Sequence, residues 1–100
     1  MTDESEQQHD QPLPLFFLGL VVLTPGALRV LADADKNLFE LLRQHQYGEW
    51  SLKDETMAAV QLGMRVFSAH VLPTGEKLWI MTEGTRASTL VVLPSEFAAL

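Results

Sequence analysis

The sequence contains no cysteine, which excludes disulfides and thiolate metal sites and suits a cytoplasmic protein. Basic residues are few, seven Lys and Arg against thirteen acids. They form no basic stripe, and nucleic-acid affinity rests on neutralising phosphates, so binding to DNA or RNA is not favoured. The apolar run Leu13 to Leu23 falls short of the roughly 20 residues that span a bilayer. The stretch before it is acidic where a secretory signal is basic, and no small-residue cleavage site follows, so neither a membrane span nor a signal is expected. The three histidines, His9, His45 and His70, show no H-x-x-x-H or H-E-x-x-H spacing, which removes the usual zinc signature. No G-x-S-x-G elbow accompanies the serines. No metal or cofactor is therefore expected.

What remains is a chain of 100 residues with 47% hydrophobic content, enough for one packed core and too short for two domains. The formal charge of −6 is unevenly placed. Asp3, Glu4, Glu6 and Asp10 lie in the first eleven residues, which carry no Lys or Arg; from residue 12 onward nine acids face seven bases, a net −2. The composition predicts a disordered acidic tail over 1–12 and a single domain over 13–100.

Within that domain the periodicity changes several times. Residues 15–23 are aromatic and β-branched, broken at Gly19, where a bulge or close backbone approach is expected; they read as a strand buried on both faces in the sheet interior or against its helix-covered face. Thr24-Pro25-Gly26 then offers a cap and a first-turn proline for a helix over about 25–34, with Ala27, Leu28, Val30 and Leu31 as its apolar stripe. Asn37 and Glu40 have capping-box spacing before a second helix with Leu38, Phe39, Leu41 and Leu42 on its apolar side and Gly48 as its stop. Ser51 and Asp54 open a third helix through Met57, Ala58 and Val60 to Gly63. His45 falls in a last helical turn, where a protonated imidazole suits the helix dipole. Trp50 is expected to fold back into the core. From Arg65 to Leu93 the pattern is a three-stranded meander with turns at Pro73-Thr74-Gly75-Glu76 and Gly84-Thr85-Arg86. The expected fold is therefore α+β in two layers: an N-terminal strand, three short helices, and the antiparallel meander in one sheet.

The polar residues of the meander collect around its second turn, Thr82 to Thr89. Two kinds of chemistry fit them. As a binding surface, Trp79, Glu83, Arg86, Ser88 and Thr89 would face a protein partner, aromatics and arginine being the residues on which interfaces depend most. As a metal-independent ribonuclease site, His70, Glu83 and Arg86 would supply an acid/base pair and a cation for the phosphorane, on an outline that resembles the barnase-like bacterial toxins. His70 alternates with Val66, Ser68 and Leu72, which places it on the less buried face of its strand, within hydrogen-bond reach of Ser68. The structural alternative for the turn is a Glu83–Arg86 ion pair on an ordinary solvated edge.

The residues also resemble a group of short proteins of plasmids, integrative elements and their bacterial hosts, labelled "plasmid-related protein". The resemblance covers about residues 18–97. It is carried by Leu18-Gly19, Thr24-Pro25-Gly26-Ala27-Leu28, Leu42 to His45 with Gly48 and Trp50, Gly63 with Arg65, Ser68, Leu72-Pro73, Gly75, Lys77-Leu78-Trp79-Ile80, Thr82-Glu83, Arg86, Ser88-Thr89, Leu93-Pro94 and Glu96-Phe97. Gly84-Thr85 departs from the Ala-Asp common in that group. The resemblance implies a mobile-element context and no catalytic activity. The expectation is a small non-enzymatic interaction protein, an accessory or defence-related factor with a protein partner and self-association left open; the toxin-type ribonuclease is the alternative.

Overall fold

The computed structural model describes residues 13–50 and 53–98. The acidic tail and the helix opening at Ser51 lie outside these residues. Strands β1 (Leu20–Leu23), β2 (Val66–Val71), β3 (Lys77–Thr82) and β4 (Ser88–Val92) form one sheet, with helices α1 (Pro25–Asp33), α2 (Leu38–Gln46), α3 (Lys53–Gln61) and α4 (Pro94–Ala98) around it. The α+β class and the antiparallel β2-β3-β4 meander are as expected. The full sheet order is β1-β4-β3-β2, with β1 parallel to β4.

That order corrects the reading of β1. It is a four-residue edge strand, alternately exposed and half-buried, because residues 15–19 are used differently. The Leu15 N–H bonds the Gln46 carbonyl at 2.9 Å, and Phe16 enters a second apolar cluster with Trp50 and Val66. Gly19 makes the turn into the strand at φ 65°, so close to Ala87 that an added Cβ would stand 2.2 Å from its carbonyl oxygen. Only glycine combines that dihedral with that approach.

The helix caps follow local sequence. Thr24 accepts from the Ala27 N–H at 3.1 Å and Asn37 from the Phe39 N–H at 2.9 Å, each satisfying one of the first-turn donors. The stripes are narrower than expected. Ala27, Val30 and Leu31 face the sheet, but Leu28 is 57% exposed; on α2 the buried set is Leu41, Leu42 and His45, with Phe39 76% exposed. On α3, Met57 and Val60 are half-buried against Phe16, Trp50 and Val66, while Ala58 is exposed. Helices α1 and α2 pack on Leu78, Ile80 and Val91 to make the main core.

α4 is the element that the sequence reading passed over. Pro94 opens it, and Glu96 reaches back to the Leu93 N–H at 3.0 Å, one half of a capping box. The same carboxylate accepts from the Gly26 N–H at 3.0 Å and from the Thr24 hydroxyl. One acidic side chain thereby ties the first turn of α1 to the start of α4, where unpaired N–H groups favour negative charge. Those hydrogen bonds, Thr24 first and Leu93 next, hold the Glu96 carboxyl below the usual glutamate value against a smaller opposing effect of burial.

Candidate functional site

The two faces of the sheet differ in kind. On the inner face lie Val66, Ser68 and His70 of β2, Leu78, Ile80 and Thr82 of β3, Thr89 and Val91 of β4, and Val21 and Leu23 of β1. Between the apolar members runs a buried chain of hydrogen bonds: His70 Nε2 to Ser68 Oγ (2.8 Å), Ser68 Oγ to His45 Nδ1 (2.6 Å), His45 Nε2 to Thr82 Oγ1 (2.9 Å), Thr82 Oγ1 to Thr89 Oγ1 (2.7 Å) and Thr89 Oγ1 to the Leu18 carbonyl (2.7 Å).

The last bond sets the direction of all the others. A carbonyl can only accept, so Thr89 donates to Leu18 and must accept from Thr82. Thr82 has then spent its proton and accepts from His45, which carries its hydrogen on Nε2. The bare Nδ1 of His45 accepts from Ser68, and Ser68 accepts from the Nε2–H of His70. His45 is neutral in this arrangement, its Nδ1 carrying no hydrogen. Burial, followed by the nearby His70 and Arg86, pushes His45 down to about 3, and burial likewise lowers His70. The edge of the Phe16 ring stands against His45 at 5.1 Å, and the Trp50 indole N–H donates to the His45 carbonyl at 2.8 Å. The expected dipole role of a protonated His45 therefore fails on desolvation. His70, expected on the less buried face, is 8% exposed on the inner face. The chain ends on a carbonyl and delivers no proton to a surface group, so it joins α2, three strands and the Leu18 segment instead of relaying charge.

The turn after β3 is also built differently from its expectation. Arg86 adopts a left-handed φ of 63°, and its guanidinium donates to the carbonyls of Met64 (2.7 Å), Glu83 (3.1 Å) and Val60 (3.3 Å) while lying 5.4 Å from the Phe16 ring centre. Val60 is in the last turn of α3, so Arg86 caps that helix, whose own last turn has no basic residue. Glu83 pairs with Arg65 at 3.7 Å, both half exposed, in place of Arg86. Thr89 is fully buried and its hydroxyl is consumed. Ser88 lies on the opposite face from Thr89. The five residues expected to form one binding surface are thus dispersed, and Arg86 and Thr89 are structural. His70, Glu83 and Arg86 do not converge either: Arg86 is anchored beside Met64, before the start of β2, while His70 is six residues further on, roughly 20 Å along an extended chain.

The outer face carries the remaining candidate. Val22, Leu90, Met81 and Phe67 are register partners in one row across all four strands, and Val92, Trp79 and Ala69 form the next. Three strand spacings make the first row about 14 Å wide. Trp79 is packed edge-on by Phe67 at 5.1 Å and by Phe97 of α4 at 5.6 Å. The middle of this face is closed, with Val92 fully buried and Met81 6% exposed beside Phe97 of α4, and its flanks are open. Leu20 is 69% exposed, Val71 70%, Val22 44% and Phe67 39%. At the β2 end, a shallow cavity of about 220 Å³ is lined by Glu55, Thr56, Ala59, Arg65 and Phe67.

No family model, curated protein or solved structure matches the chain. The reading of the site therefore rests on its own geometry. Of the expected binding residues, Trp79 belongs to the open face directly, and Ser88 borders it beside Leu20. Phe67, Val22, Leu90 and Phe97 were missed. Their signal was present in the alternation: Phe67, Ala69 and Val71 make one side of β2 wholly apolar while the other side carries Ser68 and His70, and a solvated side does not require that. No group of three or more His, Asp or Glu among the described residues could hold a metal ion, and no helix among them is long and apolar enough to cross a membrane.

Proposed function

We propose that this chain is a small non-enzymatic interaction protein of a bacterial mobile genetic element, and that it captures a protein partner on the open face of its sheet. The observation that carries the reading is the four-strand apolar row Val22–Leu90–Met81–Phe67 beside the Phe67–Trp79–Phe97 cluster. Its exposed members, Leu20 and Val22 on one side and Phe67 and Val71 on the other, flank the buried Met81 and Val92, and exposed apolar surface with aromatic anchors marks association sites, because leaving it in water costs about 25 cal/mol per Å². The mobile-element and cytoplasmic context comes from the sequence resemblance and the absence of cysteine. The ribonuclease is the weaker reading: the only histidines among the described residues have their Nε2 hydrogens committed inside the core, and the Arg86 guanidinium is occupied by carbonyls.

Affinity capture from a bacterial host, comparing the natural chain with Val22→Lys, tests the proposal. Val22 lies on the edge strand away from β2, and a lysine there places a charge in the row without emptying the core. The expected result is a specific partner retained by the natural chain and lost by the variant at an unchanged melting temperature. Equal capture by both would refute this face as the site. Cleavage of total RNA by the folded natural chain under metal-free conditions would refute the non-enzymatic reading.

A further inference from the structure

β2 is an edge strand whose own residues carry none of the usual protection, although α3 lies beside Arg65 and Phe67 at its start. Val66–Val71 contains no charged residue, proline or glycine, the devices by which edges are kept from pairing. Which backbone groups it leaves free follows from the register. The Leu72 N–H bonds the Glu76 carbonyl at 2.8 Å, so Leu72 and Glu76 are a hydrogen-bonded pair. Alternation along an antiparallel ladder then makes His70, Ser68 and Val66 the residues that bond β3. The Glu83 N–H to Ser88 carbonyl bond, 3.0 Å, gives the complementary parity on the other side of β3. The N–H and C=O groups of Phe67, Ala69 and Val71 therefore point away from the sheet, and no described residue bonds them. Their side chains are all exposed on the outer face.

We infer that this edge pairs with the same edge of a second copy of the chain, β2 against β2 in antiparallel fashion, with the twofold axis at Ala69. In that register Ala69 faces Ala69 of the second copy, and Phe67 faces its Val71 on either side. All three are hydrogen-bonded pairs, each exchanging two bonds, and together they satisfy every outward group of both strands. The side chains suit the arrangement. The smallest sits on the axis, and an aromatic meets a β-branched residue at both flanks, a favourable cross-strand pair. One step further Arg65 faces Pro73, whose missing N–H ends the ladder there. The interface is isologous, as a twofold requires. It produces one eight-stranded sheet in which the two open apolar faces are continuous. This inference stands on the edge geometry and does not depend on capture of a foreign partner.

Light scattering on the full chain, with Ala69→Lys, Ala69→Glu and their equimolar mixture, tests it. The natural chain is expected at twice the 11.2 kDa of one copy. Each variant places like charges directly opposite on the axis and is expected as a monomer, while the mixture pairs Lys with Glu and returns to the dimer. Amide exchange of the natural chain gives a second measurement free of any substitution: Phe67, Ala69 and Val71 should gain protection as concentration rises. A natural chain that stays monomeric, including one that binds only a foreign strand, would overturn the inference. So would a dimer indifferent to Ala69→Lys, or one whose added protection lies elsewhere than these three amides.

Discussion

Acidification from about pH 7.5 to about pH 5 should weaken the fold through His45, before most carboxylates titrate. In the unfolded chain this imidazole has its ordinary value of 6.5; in the fold it is held near 3 by burial and by its neutral hydrogen-bond chain. Its folded value is the lower one, so its contribution is complete above 6.5 and is lost as pH falls, because the unfolded state takes up a proton that the folded state refuses. Over that interval the linkage amounts to about 2 kcal/mol for His45 alone, rising to about 4 kcal/mol by pH 3. His70, lowered in the same direction, adds to the slope. A loss of this size is a large part of the roughly 5–15 kcal/mol that holds a small domain together. Protonation on His45 Nδ1 would also turn Ser68 from donor to acceptor in that bond and leave the Ser68 hydroxyl hydrogen without its partner. Urea unfolding at a series of pH values reads the effect, and His45→Gln should flatten most of the slope while lowering stability at neutral pH. Stability unchanged between the two pH values would refute the buried neutral assignment and with it the direction of the chain.

Three other outcomes follow from the packing. Leu42→Ala should cost about 2–5 kcal/mol in urea unfolding and Leu28→Ala less than about 0.5 kcal/mol, since one fills the core and the other faces water; equal costs would contradict the helix orientation. Arg86→Ala should cost about 1–3 kcal/mol by freeing carbonyls at the end of α3. Arg86→Gly, which relieves the left-handed backbone, should recover part of the loss, and a silent Arg86→Ala would show that the cap contributes nothing. Glu96→Gln should lower the melting temperature at neutral pH and remove the acid dependence that an abnormally low Glu96 carboxyl imposes: its contribution is present above the ordinary glutamate value and fades as pH falls through the depressed one. A variant that melts like the natural chain at both pH values would show that Glu96 does not join α1 to α4.

What the sequence disclosed was local chemistry. Thr24 and Asn37 cap because the bonds they make span two or three residues, and the close approach at Gly19 could be expected from a glycine interrupting a strand. The Ser68–His70 bond was visible for the same reason, as a two-residue separation on one strand. The rest of the chain was hidden because it joins positions 45, 68, 82 and 89 and a carbonyl at 18, partners brought together only by sheet register. β1 misled for a related reason. Leu20-Val21-Val22-Leu23 is apolar on both sides, which reads as double burial. One side is half-buried against the core and the other belongs to the open face. Phe39 and Leu28 misled in the opposite sense: they extend an apolar stripe past the side of the helix that meets the core. Arg86 and Glu83 suggested an ion pair by proximity, but the left-handed backbone at Arg86 turns its side chain toward the end of α3.

The most direct test of the central claim is to map where a captured partner touches the chain. Backbone amide shifts of the labelled protein, recorded while that partner is added, should move at Val22, Phe67, Trp79 and Leu90 on the open face and remain fixed at Leu28 and Phe39, which are exposed apolar residues on helices α1 and α2. Movement confined to Leu28 and Phe39, with the sheet face unaffected, would contradict it.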